Sequence, residues 1–79
     1  MKKDEITGLV EGVYTKGGTT AGRAWKRHAV KIGGIYYVTF SSTDAKIAEH
    51  AYNLDLELTI VYEQTPHGRN IKNIQLVED

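Results

Sequence analysis

Cysteine is absent from the 79 residues. That excludes a disulfide framework, a thiolate zinc site and a cysteine nucleophile together. Long apolar runs are absent too: none approaches the roughly 18 residues of a membrane span. The opening Met-Lys-Lys-Asp-Glu is charged, with no apolar stretch behind it, so neither a signal peptide nor a membrane partner is expected, and a soluble, cytoplasmic protein is. There is no internal repeat and no low-complexity segment. Net charge is zero, from ten basic and ten acidic residues, and 41% of the chain is hydrophobic, which argues against intrinsic disorder. A chain this short buries only roughly 60–65% of its unfolded surface. One domain over residues 1–79 is expected, frayed at 1–4, stabilised by a compact core or by oligomerisation.

Acidic residues are missing from one long stretch. Between Gly12 and Thr43 there is none, while Lys16, Arg23, Lys26, Arg27 and Lys31 give it five positive charges. Gln64 to Val77 is likewise free of acids and holds Arg69 and Lys72. The acids gather at Asp4, Glu5 and Glu11, from Asp44 to Glu63, and at Glu78 and Asp79. A basic surface on an otherwise acidic body is the implied arrangement.

The chain reads mostly as strands. Ile6 to Tyr14 is β-branched and apolar, interrupted by two glycines that mark a bulge or bend. Thr15 to Gly22 has loop composition. Arg23–Ile32 and Ile35–Phe40 form a hairpin about Gly33-Gly34, because primed turns need positive φ. From Ser41 the period changes. Ser41-Ser42-Thr43-Asp44 fits a capping pattern, and Ile47, Ala48, Ala51 and Tyr52 share one helical face up to Asn53. Leu54 to Glu63 alternates cleanly, with Leu56, Leu58 and Ile60 on the inner side. Gln64 to Gly68 is a turn, and Arg69 to Val77 is a last strand bulged between Ile71 and Ile74. The expected core is Leu9, Val13, Val30, Val38, Phe40, Ile47, Ala48, Leu56, Leu58, Ile60 and Ile71.

Five short strands bury a core only by curling, and the helix then plugs an open end. The order β1-β2-β3-α-β4-β5 with a glycine-broken first strand resembles the oligonucleotide/oligosaccharide-binding (OB) fold. Gly22-Arg-Ala-Trp-Lys-Arg27 and Val30 to Phe40 are similar to strands 2 and 3 of single-stranded-DNA-binding OB domains, including the replication protein A type. Tyr62-Glu63 and Gly68-Arg-Asn-Ile71 through Ile74 resemble their strand 4–loop–strand 5. The fold class expected is therefore all-β with one helix, a five-stranded OB-fold barrel. A departure from bacterial single-strand-binding proteins is expected, in that no long tail with an acidic tip follows strand 5 in this sequence.

Alternation then selects a face. With Val38 and Phe40 taken as inward, Trp25, Arg27, Lys31 and Tyr37 point outward. Lys16, Arg23, Lys26, His67 and Arg69 lie in or beside the flanking loops. Aromatic rings beside cations suit a single strand, since bases stack on rings at roughly 1–3 kcal/mol each and cations follow phosphates. Each residue also has a plainer reading. Trp25 fits a satellite core under the first loop, Tyr37 a cross-strand pair, and Arg27 and Lys31 the charges that guard a sheet edge. Tyr14, Tyr36, Tyr52 and Tyr62 read as core or rim, and His28 as a rim residue.

Catalysis finds little support. His28, His50 and His67 lack metal-ligand spacing, Ser41 and Ser42 suit helix caps, and Gly17-Gly18 lacks a phosphate-loop continuation. No cofactor, metal or catalytic residue is expected. The leading expectation is a sequence-tolerant single-strand binder, DNA ahead of RNA, in replication, recombination or repair. It would act as a homo-oligomer or in a larger assembly, since several copies raise affinity. The alternatives are a protein-interaction or oligomerisation module, and an RNA- or tRNA-binding domain on the same face.

Overall fold

The computed structural model describes residues 3–66 and 68–77. The elements are β1 (Lys3–Thr20), β2 (Arg23–Ile32), β3 (Ile35–Thr39), α1 (Ser42–Asn53), β4 (Glu57–Thr65) and β5 (Gly68–Leu76). The five strands close in a ring, β1-β2-β3-β5-β4, with β4 pairing back onto Lys3–Leu9 of β1. Four seams are antiparallel. The fifth joins β3 to β5 in parallel through only two pairs, Tyr37 with Arg69 and Val38 with Asn70. The helix lies between β3 and β4, as the change of period predicts. It is not long and apolar enough to cross a membrane.

The β2–β3 hairpin sets the register. Gly33 and Gly34 hold φ of 60° and 77°, the left-handed pair that a two-residue primed turn requires. That turn pairs Ile32 with Ile35 and Val30 with Tyr37. Directly paired residues share a face, so Tyr37 goes inward with Val30. Val10, Val30, Ile32, Tyr37, Ala48, Ala51, Leu58, Ile60, Ile71 and Ile74 form the core. Tyr62, partly buried, packs against it and meets Tyr37 with ring centroids 4.9 Å apart.

Three members of the expected core lie outside it. Val38 is buried but pairs with Ala29 on the outward side of β2 and does not join this cluster. Phe40 is 68% exposed, because β3 ends at Thr39 and the chain turns outward towards the helix. Leu9 is 55% exposed. The register of β1 shifts between Val10 and Gly12, making Glu11 the extra residue of a bulge. Before the bulge Ile6 and Val10 point inward, and after it Val13 does. A strand read without that shift puts Leu9 and Val13 on one face. The bulged Glu11 accepts a 2.7 Å hydrogen bond from the Gly34 N–H, tying β1 to the hairpin turn. The bulge expected in the last strand is present, with Lys72 as the extra residue between the Asn73–Val61 and Ile71–Tyr62 pairs.

The helix starts and stops by side-chain and backbone chemistry. Ser41 caps it, its Oγ accepting from the Asp44 N–H. It buries Ala45, Ala48 and Ala51, whereas Tyr52 stays 47% exposed. At the other end Asp55 adopts φ 54°, Leu56 N–H donates to Ala51 C=O and Asp55 N–H to Tyr52 C=O. This is a Schellman stop, with Leu56 packed against the core. Leu54 and Asp55 therefore close the helix rather than open β4, although their alternation resembles a strand. Lys3 and Asp4, expected to fray, pair with Glu63 and Tyr62.

Leu58 and Leu9 are one pairing step apart in the β1–β4 ladder yet lie on opposite sides of the sheet. Leu58 is fully buried, so Leu58→Ala should lower stability by about 2–5 kcal/mol in urea titrations. Leu9→Ala should cost less than about 1 kcal/mol. Equal losses would contradict the bulge-shifted register.

Candidate nucleic-acid interface

The segment read as a loop, Thr15 to Gly22, is strand as far as Thr20. Pairing of β1 with β2 continues to Thr20 and Arg23, and the turn is only Ala21-Gly22, with φ of 51° and 77°. β1's pairing with β4 stops at Leu9 and β2's with β3 at His28. The two strands thus run on past the ring as a ribbon, exposed from Tyr14 to Arg27. Its length follows from ladder hydrogen bonds rather than burial, which is why polar, glycine-rich composition resembles a loop. The second expected loop is short too: β4 reaches Thr65, which pairs with Gly68.

Residues of the ribbon sort by the inward setting of Val30. Trp25, Arg27 and Lys31 fall on the outward face of β2, as expected from alternation. Their partners on β1 are Gly18, Lys16 and Gly12. Lys26 has the opposite parity and is exposed beyond the ring's mouth, and Arg23 pairs with Thr20 beside the turn. The structure thus brings Lys16, Arg23, Trp25, Lys26, Arg27 and Lys31 onto one ribbon and its base.

Tyr37 is the correction on this face. It is 1% exposed, inside the ring, and offers no free ring to a ligand. The expectation fixed the strand by its single phenylalanine, whereas the two-residue turn fixes it through Val30. Tyr36 and Tyr14 take the outer positions instead, 50% and 51% exposed. Their ring centroids are 6.0 Å apart and inclined at 56°. The Lys31 ammonium lies 5.6 Å from the Tyr36 centroid, within cation–π range. The signal for Tyr36 was present in the sequence, because counting outward from Gly33-Gly34 pairs it with Lys31.

Arg69 stands apart from the ribbon. It pairs with Tyr37 and Gln64 at the start of β5, half-buried, and acts electrostatically on the Tyr37 phenol. His67 lies outside the described residues. His28 is buried, its Nδ1 2.9 Å from the Thr15 hydroxyl and its Nε2 without a hydrogen-bond partner.

Trp25 is held rather than loose. Its Nε1–H donates to Thr20 Oγ1 at 3.1 Å. The indole covers Gly18, where an added Cβ would come within 2.8 Å of Cζ2 and 3.1 Å of Cε2. Tyr14 covers Gly12 in the same manner, its hydroxyl 2.7 Å from the place of a Cβ. Each glycine therefore supplies room for a ring to lie over the sheet. Trp25 remains 37% exposed. With its N–H already engaged, the indole offers a face and no free donor.

Among the described residues no three His, Asp or Glu side chains are grouped to hold a metal ion. No family model, curated protein or solved structure matches the chain.

Two measurements check this geometry in the free protein. Gly18→Ala should displace the indole, seen as a red-shifted emission and lower steady-state anisotropy of the single tryptophan. Thr20→Val should move both in the same direction, and Thr20→Ser should leave them near wild type. The second concerns Tyr37. Burial raises its phenol above the ordinary value of about 10, Tyr62 adds to the rise and Arg69 opposes it. The unfolded chain therefore loses this proton first. The stabilisation is complete below about pH 10 and is lost as pH rises towards the higher folded value. Urea midpoints of Tyr37→Phe should decline less steeply above pH 10 than those of wild type.

Proposed function

We propose that the ring is an OB-type barrel and that the outward face of β1 and β2 binds single-stranded nucleic acid, DNA ahead of RNA. The observation that carries this reading is one face, drawn from the segment that holds no acid between Gly12 and Thr43, combining Trp25, Tyr14 and Tyr36 with Lys16, Arg27 and Lys31. Rings lying over glycines give bases a surface to stack on, and the cations beside them neutralise phosphates. The engaged indole N–H favours tolerance of sequence, since stacking needs only a π-face. The closed order β1-β2-β3-β5-β4, with a helix between β3 and β4, supports the OB reading. No bond is made or broken in such a role, which suits replication, recombination or repair in the cytoplasm. With one modest basic face, the module would gain affinity from several copies or a larger assembly.

A second reading, a protein-docking or oligomerisation module, draws on apolar residues away from the ribbon. Phe40, Leu54 and Leu9 are each more than half exposed. The two readings differ in salt dependence.

Trp25 emission titrated with dT, rU and duplex oligomers at several salt concentrations separates them. Poly-dT should quench strongly and duplex weakly. The log–log salt slope should lie near −2 to −3.5 for about three to five phosphates contacted. Trp25→Ala should weaken binding by roughly 1–3 kcal/mol and leave the fold intact. Charge reversal at Arg27 or Lys31 should flatten the slope, and reversal at Lys46 on the helix should not. Binding without salt dependence, or single strands that leave the emission unchanged, would favour protein docking.

A further inference from the structure

Resting on the single-strand reading above, we propose that the bound strand runs lengthwise along the β1–β2 ribbon, not across the strands of the ring. The track is a ladder of alternating aromatic and cationic rungs. On the outward face, Trp25 stands against Gly18, Arg27 against Lys16, Tyr14 against Ala29, and Lys31 against Gly12. Successive rungs are about 7 Å apart, the repeat of every second residue in an antiparallel strand. The last rung is extended sideways by Tyr36, which pairs with Lys31 on its other side.

The cationic rung between the rings is costly in the free protein. Lys16 and Arg27 face each other directly, and like charges so placed destabilise a ladder. No acid between Gly12 and Thr43 offsets them. A phosphate between stacked bases would, and it would lie between the Trp25 and Tyr14 rings.

The crosswise row through Tyr14 offers the opposite. From Tyr14 the outward row passes through Ala29, Val38 and Asn70 and ends on Glu63. It holds no cation between Tyr14 and Glu63, and Val38 is buried. A polyanion laid across the sheet would leave its counter-charges and approach a carboxylate. Laid along the ribbon, it meets a cation between two rings.

The geometry also sets a length. The two glycines covered by rings, Gly12 and Gly18, are six residues apart on β1, roughly 20 Å. Bases stacked at about 3.4 Å need about seven nucleotides to span that distance. A strand stretched to about twice that rise needs about four. Three nucleotides reach one ring only.

The test uses the full chain and compares dT3 with dT12, each titrated against Trp25 emission. Tyr14→Ala should weaken dT12 binding about tenfold and leave the dT3 midpoint within about twofold. Tyr14→Phe, which keeps the ring, should restore dT12 binding and so separates stacking from folding. The double variant Lys16→Ala, Arg27→Ala should weaken dT12 by at least about tenfold, and Lys72→Ala on β5 should not. Wild type that binds dT12 while Tyr14→Ala leaves it unchanged, or weakens both lengths equally, overturns the lengthwise track and leaves the single-strand reading standing. A Lys72→Ala loss matching that of the ribbon pair also overturns the track. Wild type that binds neither length overturns both.

Discussion

The two-residue turn at Gly33-Gly34 is the constraint from which the rest of the structure follows. Side chains alternate with a period of two, so a one-residue change in that turn would send every β3 side chain to the other face. The observed register places Tyr37 beside Val30 in the core and leaves Tyr36 beside Lys31 outside. Glu11 reinforces it from β1 by accepting from the Gly34 N–H. The same few backbone angles therefore fill the core and expose the candidate interface. Core and interface are the two sides of one ladder, and neither can be re-registered alone.

The ribbon obeys a different balance from the ring. Within the ring, Leu58, Ile60, Val30 and Tyr37 are removed from water almost entirely. From Thr15 to Arg27 each residue is exposed, and the strands are held by their ladder and by two rings resting on glycines. Segments with little buried apolar surface open locally at low free-energy cost. The ribbon thus carries concentrated positive charge where core stability is least affected by repulsion. The acid-free run covers β1 only from Gly12 onward, then all of β2 and β3.

Much of the ring could be read from the sequence, for physical reasons. The strict alternation of Leu56 to Ile60, the double glycine and the Ser41 cap each act within a few residues, where pattern and structure coincide. The β5 bulge was legible because Ile71 and Ile74 break that alternation. The β1 bulge shifted a face at Glu11, and nothing local to Leu9 reports it. Leu54 to Leu56 alternates like a strand, but Asp55 takes a left-handed angle and ends the helix. In the candidate site, Trp25, Arg27 and Lys31 followed from parity alone. Tyr37 does not, because the bulk of Phe40 suggests one face of β3 and the pairing set by the turn dictates the other. The ribbon was hidden for another reason: ladder pairing between exposed polar strands leaves no hydrophobic period to detect.

The ring's closure bears on how the domain would fail. Closing a sheet removes the free strand edges through which β proteins associate wrongly. Here closure depends on a seam of two parallel pairs, at Tyr37–Arg69 and Val38–Asn70, while every other seam is longer. Partial unzipping there would release two complementary edges without dismantling a hairpin. An opened molecule could join another edge to edge, with β5 of one copy taking the place of β5 in the next. The narrow seam is thus where an exchange of strands between copies would begin, and half-buried Arg69 stands at its first pair, placing a charge on the edge that opening would expose.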